Sequence, residues 1–178
     1  MTRIFLVGYM GAGKTTVGKD LAKRMGLAFV DLDAYIESRY HKTVSQIFEE
    51  KGEGGFREIE QKMLHEVALF EDVIISTGGG APCFYENMTF MNAQGTTIYL
   101  KASVDELAKR LAISKHSRPI LKNLSKAELH AFIATNLEKR EPFYQQATII
   151  FDAEVMLTET DIQSISEQII QIIHTDHH

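Results

Sequence analysis

At 178 residues, with 44% apolar and 24% charged positions, the chain has the size and make-up of one ordinary globular domain with a sizeable core. Its formal charge of −5 excludes a general nucleic-acid binder, whose footprint is a basic patch, so any anion must be caught by local cations. No run reaches the ~20 apolar residues of a membrane span, and the single cysteine, Cys83, excludes an internal disulfide and a thiolate metal site.

The composition suits a reducing cytoplasm, with neither membrane nor nucleic acid as partner. No composition shift marks a linker, no internal repeat is present, and a core strand begins almost at once. Arg3-Ile4-Phe5-Leu6-Val7 is that strand, apolar throughout as buried parallel strands are. It runs into Gly8-Tyr9-Met10-Gly11-Ala12-Gly13-Lys14-Thr15-Thr16, which fits G-x-x-x-x-G-K-[ST]. The glycines let the backbone curl, so that N–H groups from Gly11, Ala12 and Gly13 through Lys14, Thr15 and Thr16 point at a nucleotide's phosphates. Lys14 reaches the β/γ oxygens as a point charge, and the Thr15 hydroxyl holds Mg²⁺. Val17, Leu21, Ala22 and Met25 then recur at helical spacing, with Gly26 as the stop. That order sets the helix's positive end against the phosphates.

Ala28-Phe29-Val30-Asp31 is a second strand ending on acid, and a short helix follows from Asp33 to Tyr40. Thr43 is a candidate N-cap for a helix over 44–51, which Gly52-Glu53-Gly54-Gly55 breaks. Ile59, Met63, Val67 and Phe70 mark the inner face of a helix from Phe56 to Phe70. Val73-Ile74-Ile75-Ser76 is the third strand, running into Gly78-Gly79-Gly80. Thr97-Ile98-Tyr99-Leu100 is the fourth, followed by a helix with the capping box Ser103…Glu106. A second box, Ser125…Glu128, opens a helix to about Tyr144. Thr148-Ile149-Ile150-Phe151 is the fifth strand, and Ile162, Ile165, Ile169 and Ile172 line the closing helix. His174, His177 and His178 belong to a solvated tail. Five short strands separated by helices make an α/β fold with a parallel sheet covered on both faces, and ligands of such sheets sit outside the carboxyl ends of the strands.

Chemistry-bearing residues fall at those ends. Asp31 and Asp33, two apart, point to one side if the chain is still extended there. We assign Asp31 to the metal, through water, and Asp33 to the attacking hydroxyl as general base, although either is also a good N-cap. Arg57 opens a helix where the dipole favours acids, which makes sense if its planar fork grips a ligand carboxylate. Gly78, Gly79 and Gly80 allow close approach of main-chain N–H groups to a small ligand, or form a plain turn. Arg118 sits in the basic segment from Lys115 to Lys122, either a lid whose arginine neutralises the transferring phosphoryl or a solvated connector. Arg140 ends a long helix, where a cation is favourable in any case.

Together these pieces resemble the shikimate kinase family. Its motifs occur here in order from residue 4 to about 152: the phosphate loop Gly8–Thr15, D-x-D (Asp31, Asp33), F-R-x-x-E (Phe56, Arg57, Glu60), the glycine triplet, R-P-I-L (Arg118–Leu121) and R-x-x-x-Y (Arg140, Tyr144). The resemblance implies a P-loop NTPase-like three-layer α/β/α fold with strand order 2-3-1-4-5. It implies one domain over 1–178, with a substrate segment about 32–60 and a mobile lid about 112–124. It further implies ATP-dependent phosphorylation of the 3-hydroxyl of shikimate by a monomer, on the route to chorismate and aromatic amino acids. Asp33 would meet the substrate hydroxyls, Arg57 and Arg140 its carboxylate, and Gly79 would add a main-chain contact. Arg118 would be the lid arginine and Arg110 an adenine neighbour. Two stretches depart from the pattern: Gly54-Gly55 stands where bulkier polar residues are common, and Asp152-Ala153-Glu154 matches no strong signature. A kinase for another small acceptor, such as gluconate or a nucleoside monophosphate, is the nearest rival, and paired arginines favour a carboxylic acid. A GTP switch needs N-K-x-D, which this sequence lacks.

Overall fold

The computed structural model describes residues 1–114 and 119–176. Arg118 and the tail residues His177 and His178 lie outside the described residues, as do Lys115, His116 and Ser117 of the expected lid. Strands β1 (Arg3–Val7), β2 (Ala28–Asp31), β3 (Val73–Ser76), β4 (Thr96–Lys101) and β5 (Ile149–Asp152) form one sheet. Every pairing is parallel and the order is β2-β3-β1-β4-β5, as expected. The central strands β1 and β3 are buried from Ile4 to Val7 and from Val73 to Ser76, so they carry no polar face to alternate with.

Helix α1 (Lys14–Met25) follows the phosphate loop, buries Val17, Leu21 and Ala22, and ends where Gly26 turns left-handed (φ 67°). It packs on α7 (Glu159–Asp176) and on β2 and β3. Helix α2 (Leu32–Tyr40) packs on α3 (Val44–Val67), α4 (Asn87–Gln94) on β4, and α5 (Val104–Ser114) on α6 (Lys126–Tyr144), completing the two outer layers. No helix among the described residues is long and apolar enough to cross a membrane.

Three local features refine what the sequence led one to expect. First, the expected break after residue 51 is present but confined to one residue, where Gly52 divides α3 into two helical segments. Only Gly52 leaves helical geometry (φ 68°, ψ −179°), and Gly54 and Gly55 are helical within α3. The segment beyond the kink is held by buried Phe56, Ile59, Met63, Leu64 and Val67, whose burial outweighs the ~1 kcal/mol that each helical glycine costs. At Gly55 a Cβ would lie 2.6 Å from Lys51 Cβ, so the bend itself calls for glycine. Second, α4 has no cap signal to announce it: its N-cap, Glu86, is left-handed (φ 56°) and makes no side-chain cap bond. Tertiary contacts hold it instead, through buried Met88 and Met91 and through Asn87, whose Nδ2 donates to Ala81 O at 2.8 Å. Third, the Ser103…Glu106 box is only half formed. Glu106 N donates to Ser103 Oγ (3.1 Å), but the Glu106 carboxylate turns to Arg110. The box at Ser125 and Glu128 closes both ways.

Candidate active site

The carboxyl ends of β1, β2 and β3 open into a cleft of about 840 Å³. One half is the phosphate loop. Gly11 (φ 82°) and Gly13 (φ 97°) take left-handed conformations that other residues resist, which lets the loop wrap without side chains. Gly11, Gly13, Lys14, Thr15 and Thr16 line the cleft. Ala12 does not: its side chain is buried and its N–H donates to Tyr9 O at 3.1 Å. Lys14 is buried, and its Nζ donates to Gly8 O (2.7 Å) and Tyr9 O (2.9 Å).

Asp31 fills the N-cap role that the sequence left open and also faces the phosphate loop. Its Oδ1 accepts the N–H of Ala34 as N-cap of α2 (3.1 Å), while Oδ2 accepts the Thr15 hydroxyl (3.0 Å). Two hard oxygen donors so placed fit a Mg²⁺ ion shared with phosphate oxygens and water. Among the described residues no group of three or more His, Cys, Asp or Glu could hold a metal alone. At the far side of the loop, Arg110 Nη2 donates to Ala153 O (2.6 Å) and Glu154 O (3.0 Å), and its Nε meets Glu106 Oε1 at 3.0 Å.

The other half is assembled from distant segments. Asp33 is not in extended chain, as the alternation argument assumed. It lies in the first turn of α2, and the turn still aims it into the cleft. Burial, and then the charge of Asp31, raise its carboxyl above the usual aspartate range. Arg57 lies more than a turn beyond the Gly52 kink, so the helix-dipole reasoning at first-turn positions does not govern it. Buried neighbours place it instead. Nη1 donates to Glu60 Oε1 at 2.8 Å, and the guanidinium lies over the rings of Phe84 (4.5 Å to the centroid) and Phe56 (5.3 Å). Its Nε is buried without a hydrogen-bond partner.

Glu60 is the site residue that sequence reasoning passed over as part of a motif without a role. It is 1% exposed, and burial pushes its carboxyl up to about 7 despite the guanidinium beside it. The i, i+3 spacing from Arg57 was the available signal.

The glycine triplet now has a steric reason. A Cβ on Gly78 would sit 3.1 Å from Asp33 Oδ1 and 3.3 Å from Glu60 Oε2, and one on Gly79 would sit 3.2 Å from Arg140 Nη1. On Gly80 it would collide with the Arg57 guanidinium. Each glycine therefore makes room for charged side chains in this half of the cleft, two at Gly78 and one each at Gly79 and Gly80. Tyr144 Oη donates to Gly79 O (2.5 Å), and Arg140, half-buried, stands with its guanidinium 5.5 Å from the Tyr9 ring centroid.

The strand order, with a phosphate loop following β1 and running into α1, defines a P-loop kinase fold. A family model described as shikimate kinase matches residues 10–174. The chain is 69% identical over 173 residues to a shikimate kinase of Parabacteroides distasonis, covering 97% of this chain and 100% of that one. The crystal structure of shikimate kinase from Bacteroides thetaiotaomicron superposes with a TM-score of 0.95 at 54% identity, over 97% of this chain and 98% of that one. Shikimate kinase from Acinetobacter baumannii, solved in complex with shikimate, follows at a TM-score of 0.85 and 32% identity, over 99% and 94%. The chain belongs to the shikimate kinase family.

Proposed function

We propose that this chain transfers the γ-phosphoryl group of ATP to the 3-hydroxyl of shikimate, giving shikimate 3-phosphate and ADP on the route to chorismate and the aromatic amino acids. The observation that carries the reading is one cleft whose phosphate loop faces Asp33, Arg57 and Arg140. An anionic polyol needs those residue types: guanidinium forks for a carboxylate and an acid for a hydroxyl.

In this reading ATP supplies the phosphoryl group, and Mg²⁺, held by Thr15 and by Asp31 through water, offsets its charge. N–H groups of Gly11, Gly13, Thr15 and Thr16 orient the phosphates, and Lys14 leaves the carbonyls of Gly8 and Tyr9 to reach the β/γ oxygens. Arg57 and Arg140 hold the substrate carboxylate, with Glu60 fixing the fork of Arg57. Gly79 offers its main-chain N–H to the substrate, and Gly78 and Gly80 keep the wall thin beside it. Asp33 accepts the proton of the 3-hydroxyl, and its raised pKa makes it a better base than a solvated aspartate. Arg118, on a lid over about 112–124, neutralises charge at the transferring group, and lid closure excludes water that would otherwise hydrolyse ATP. Arg110 lies on the adenine side. The whole chain acts as one domain, a cytoplasmic monomer.

The test is a coupled assay of ADP release with shikimate, gluconate or a nucleoside monophosphate as acceptor. Turnover should depend on shikimate alone. Equal rates without an acceptor, or a preference for another one, would overturn the assignment.

A further inference from the structure

We propose that Glu154 is a positioning residue for nucleotide binding, its carboxylate fastening the loop between β5 and α7 to the start of α5 so that Met156 stays against the phosphate loop. This rests on assigning the phosphate-loop half of the cleft to ATP.

Met156 lines the cleft and packs so closely on Gly13 that a Cβ there would collide with its Sδ and Cε. The side chains on either side of it offer no apolar anchor: Val155 is 64% exposed and Leu157 is 82% exposed. Apart from Met156's own packing on the core, polar contacts at the two ends of the loop hold this segment in place. At the far end, Asp161 Oδ2 accepts from Leu157 N (2.9 Å), Thr158 N (2.8 Å) and the Thr158 hydroxyl (2.9 Å). At the near end, Glu154 Oε2 accepts Ser103 N (2.7 Å) and Oε1 accepts the Ser103 hydroxyl (2.6 Å).

Glu154 thus takes the place that Glu106 would fill in a reciprocal capping box. Glu106 is released to hold Arg110, and Arg110 returns to the loop through Ala153 O and Glu154 O. A closed circuit results: Ser103, Glu154, Arg110 and Glu106 each bond to the next, with Glu106 N completing it on Ser103 Oγ. Arg110 Nη1 also points at Gly11 O and Ala12 O, both at 3.4 Å, so the circuit extends to the phosphate loop itself. The Ser103 hydrogen bonds hold the Glu154 carboxyl below the usual glutamate range, which keeps it an acceptor at neutral pH.

Losing Glu154 leaves the near end to Arg110 and to the Ala153 N–H bond to Lys101 O (2.8 Å), neither of which reaches past residue 154, and lets Met156 drift from Gly13. The experiment measures steady-state KM for both substrates and the ADP affinity by calorimetry, in the wild type, Glu154→Ala and Glu154→Gln. Glu154→Ala should raise the KM for ATP and the Kd for ADP about tenfold, the scale of lost charge-assisted hydrogen bonds at a partly exposed site. The KM for shikimate should stay within about twofold, because the acceptor half shares none of these bonds. Gln keeps an acceptor for Ser103 N, so Glu154→Gln should recover most of the loss. If Glu154→Ala does not fold, Ser103→Gly removes one of the two bonds to Glu154 while remaining a tolerable N-cap for α5, and should shift the same constants in the same direction. Unchanged ADP affinity in a folded variant, or equal rises in both KM values, would overturn the proposal. A wild-type protein that binds no ADP would overturn the ATP assignment itself.

Discussion

The phosphate-loop half of the cleft comes from one unbroken stretch, Gly8–Thr16, whereas the acceptor half draws on α2, α3, the loop after β3 and α6. The first half works chiefly with main-chain amides, whose directions follow from local φ and ψ, so a short sequence suffices to build it. The second half works with full charges, and burying those demands partners. Arg57 is 8% exposed and Glu60 1% exposed, and each is tolerable only beside the other. The contrast shows why one half is a portable motif while the other must be assembled anew by a fold.

That contrast is most sharply tested at Lys14, the one full charge of the contiguous half. Lys14→Ala should lower kcat/KM by about 10³-fold, roughly 4 kcal/mol of transition-state stabilisation. An unaffected kcat/KM would remove Lys14 from the chemistry. Next in size is Asp33→Asn, expected to lower kcat by roughly 10²–10³-fold while leaving the ADP affinity measured by calorimetry unchanged. A near-normal kcat would take the base role away from Asp33.

Arg140→Ala should raise the KM for shikimate roughly 10- to 100-fold and leave that for ATP within about twofold, as a charged hydrogen bond to one substrate is lost. Equal rises in both would break the division of the cleft. Arg57→Ala should add a stability loss, because it strands Glu60 in the interior.

The smallest effect concerns pH. The folded state holds the proton of Glu60 up to about 7, against 4.5 for the group in isolation. Between those values the folded protein therefore binds more protons than the unfolded one, and stability falls as pH rises. The loss from this group reaches at most roughly 3 kcal/mol and levels off above pH 7. Glu60→Gln should flatten this decline in thermal unfolding between pH 5 and 7.5, while the KM for shikimate rises only a few-fold, because Gln still accepts from Arg57 Nη1. A decline as steep as that of the wild type would place the pH dependence elsewhere.

Particular elements show how far the chain could be read in advance. Apolar runs marked all five strands to within a residue or two: β1 and β3, buried throughout, have no polar face to blur them, and the edge strands β2 and β5 are apolar in sequence although partly exposed. Thr43 and Ser125 announced their helices, since a cap is a bond between neighbours in sequence. The same logic failed at Glu106, whose partner in a box should have been Ser103. A carboxylate from the far side of β5 reached Ser103 instead, and nothing in the residues around 103 records a contact 51 positions away. At Gly52–Gly55 the expected break occurs at Gly52 alone: glycine weakens a helix locally, while tertiary packing keeps Gly54 and Gly55 helical.

By itself, then, the sequence determined the strands, the capped helices, the phosphate loop and which residue types stand at the strand ends, all of them consequences of interactions within a few residues. Only the tertiary structure decided that Glu60 partners Arg57 inside the protein, that the glycine triplet clears space for four charged side chains, and that Glu154 closes the circuit around Arg110. Those outcomes depend on desolvation and on distances between segments far apart in the chain, and neither quantity exists until the sheet has brought the strand ends together.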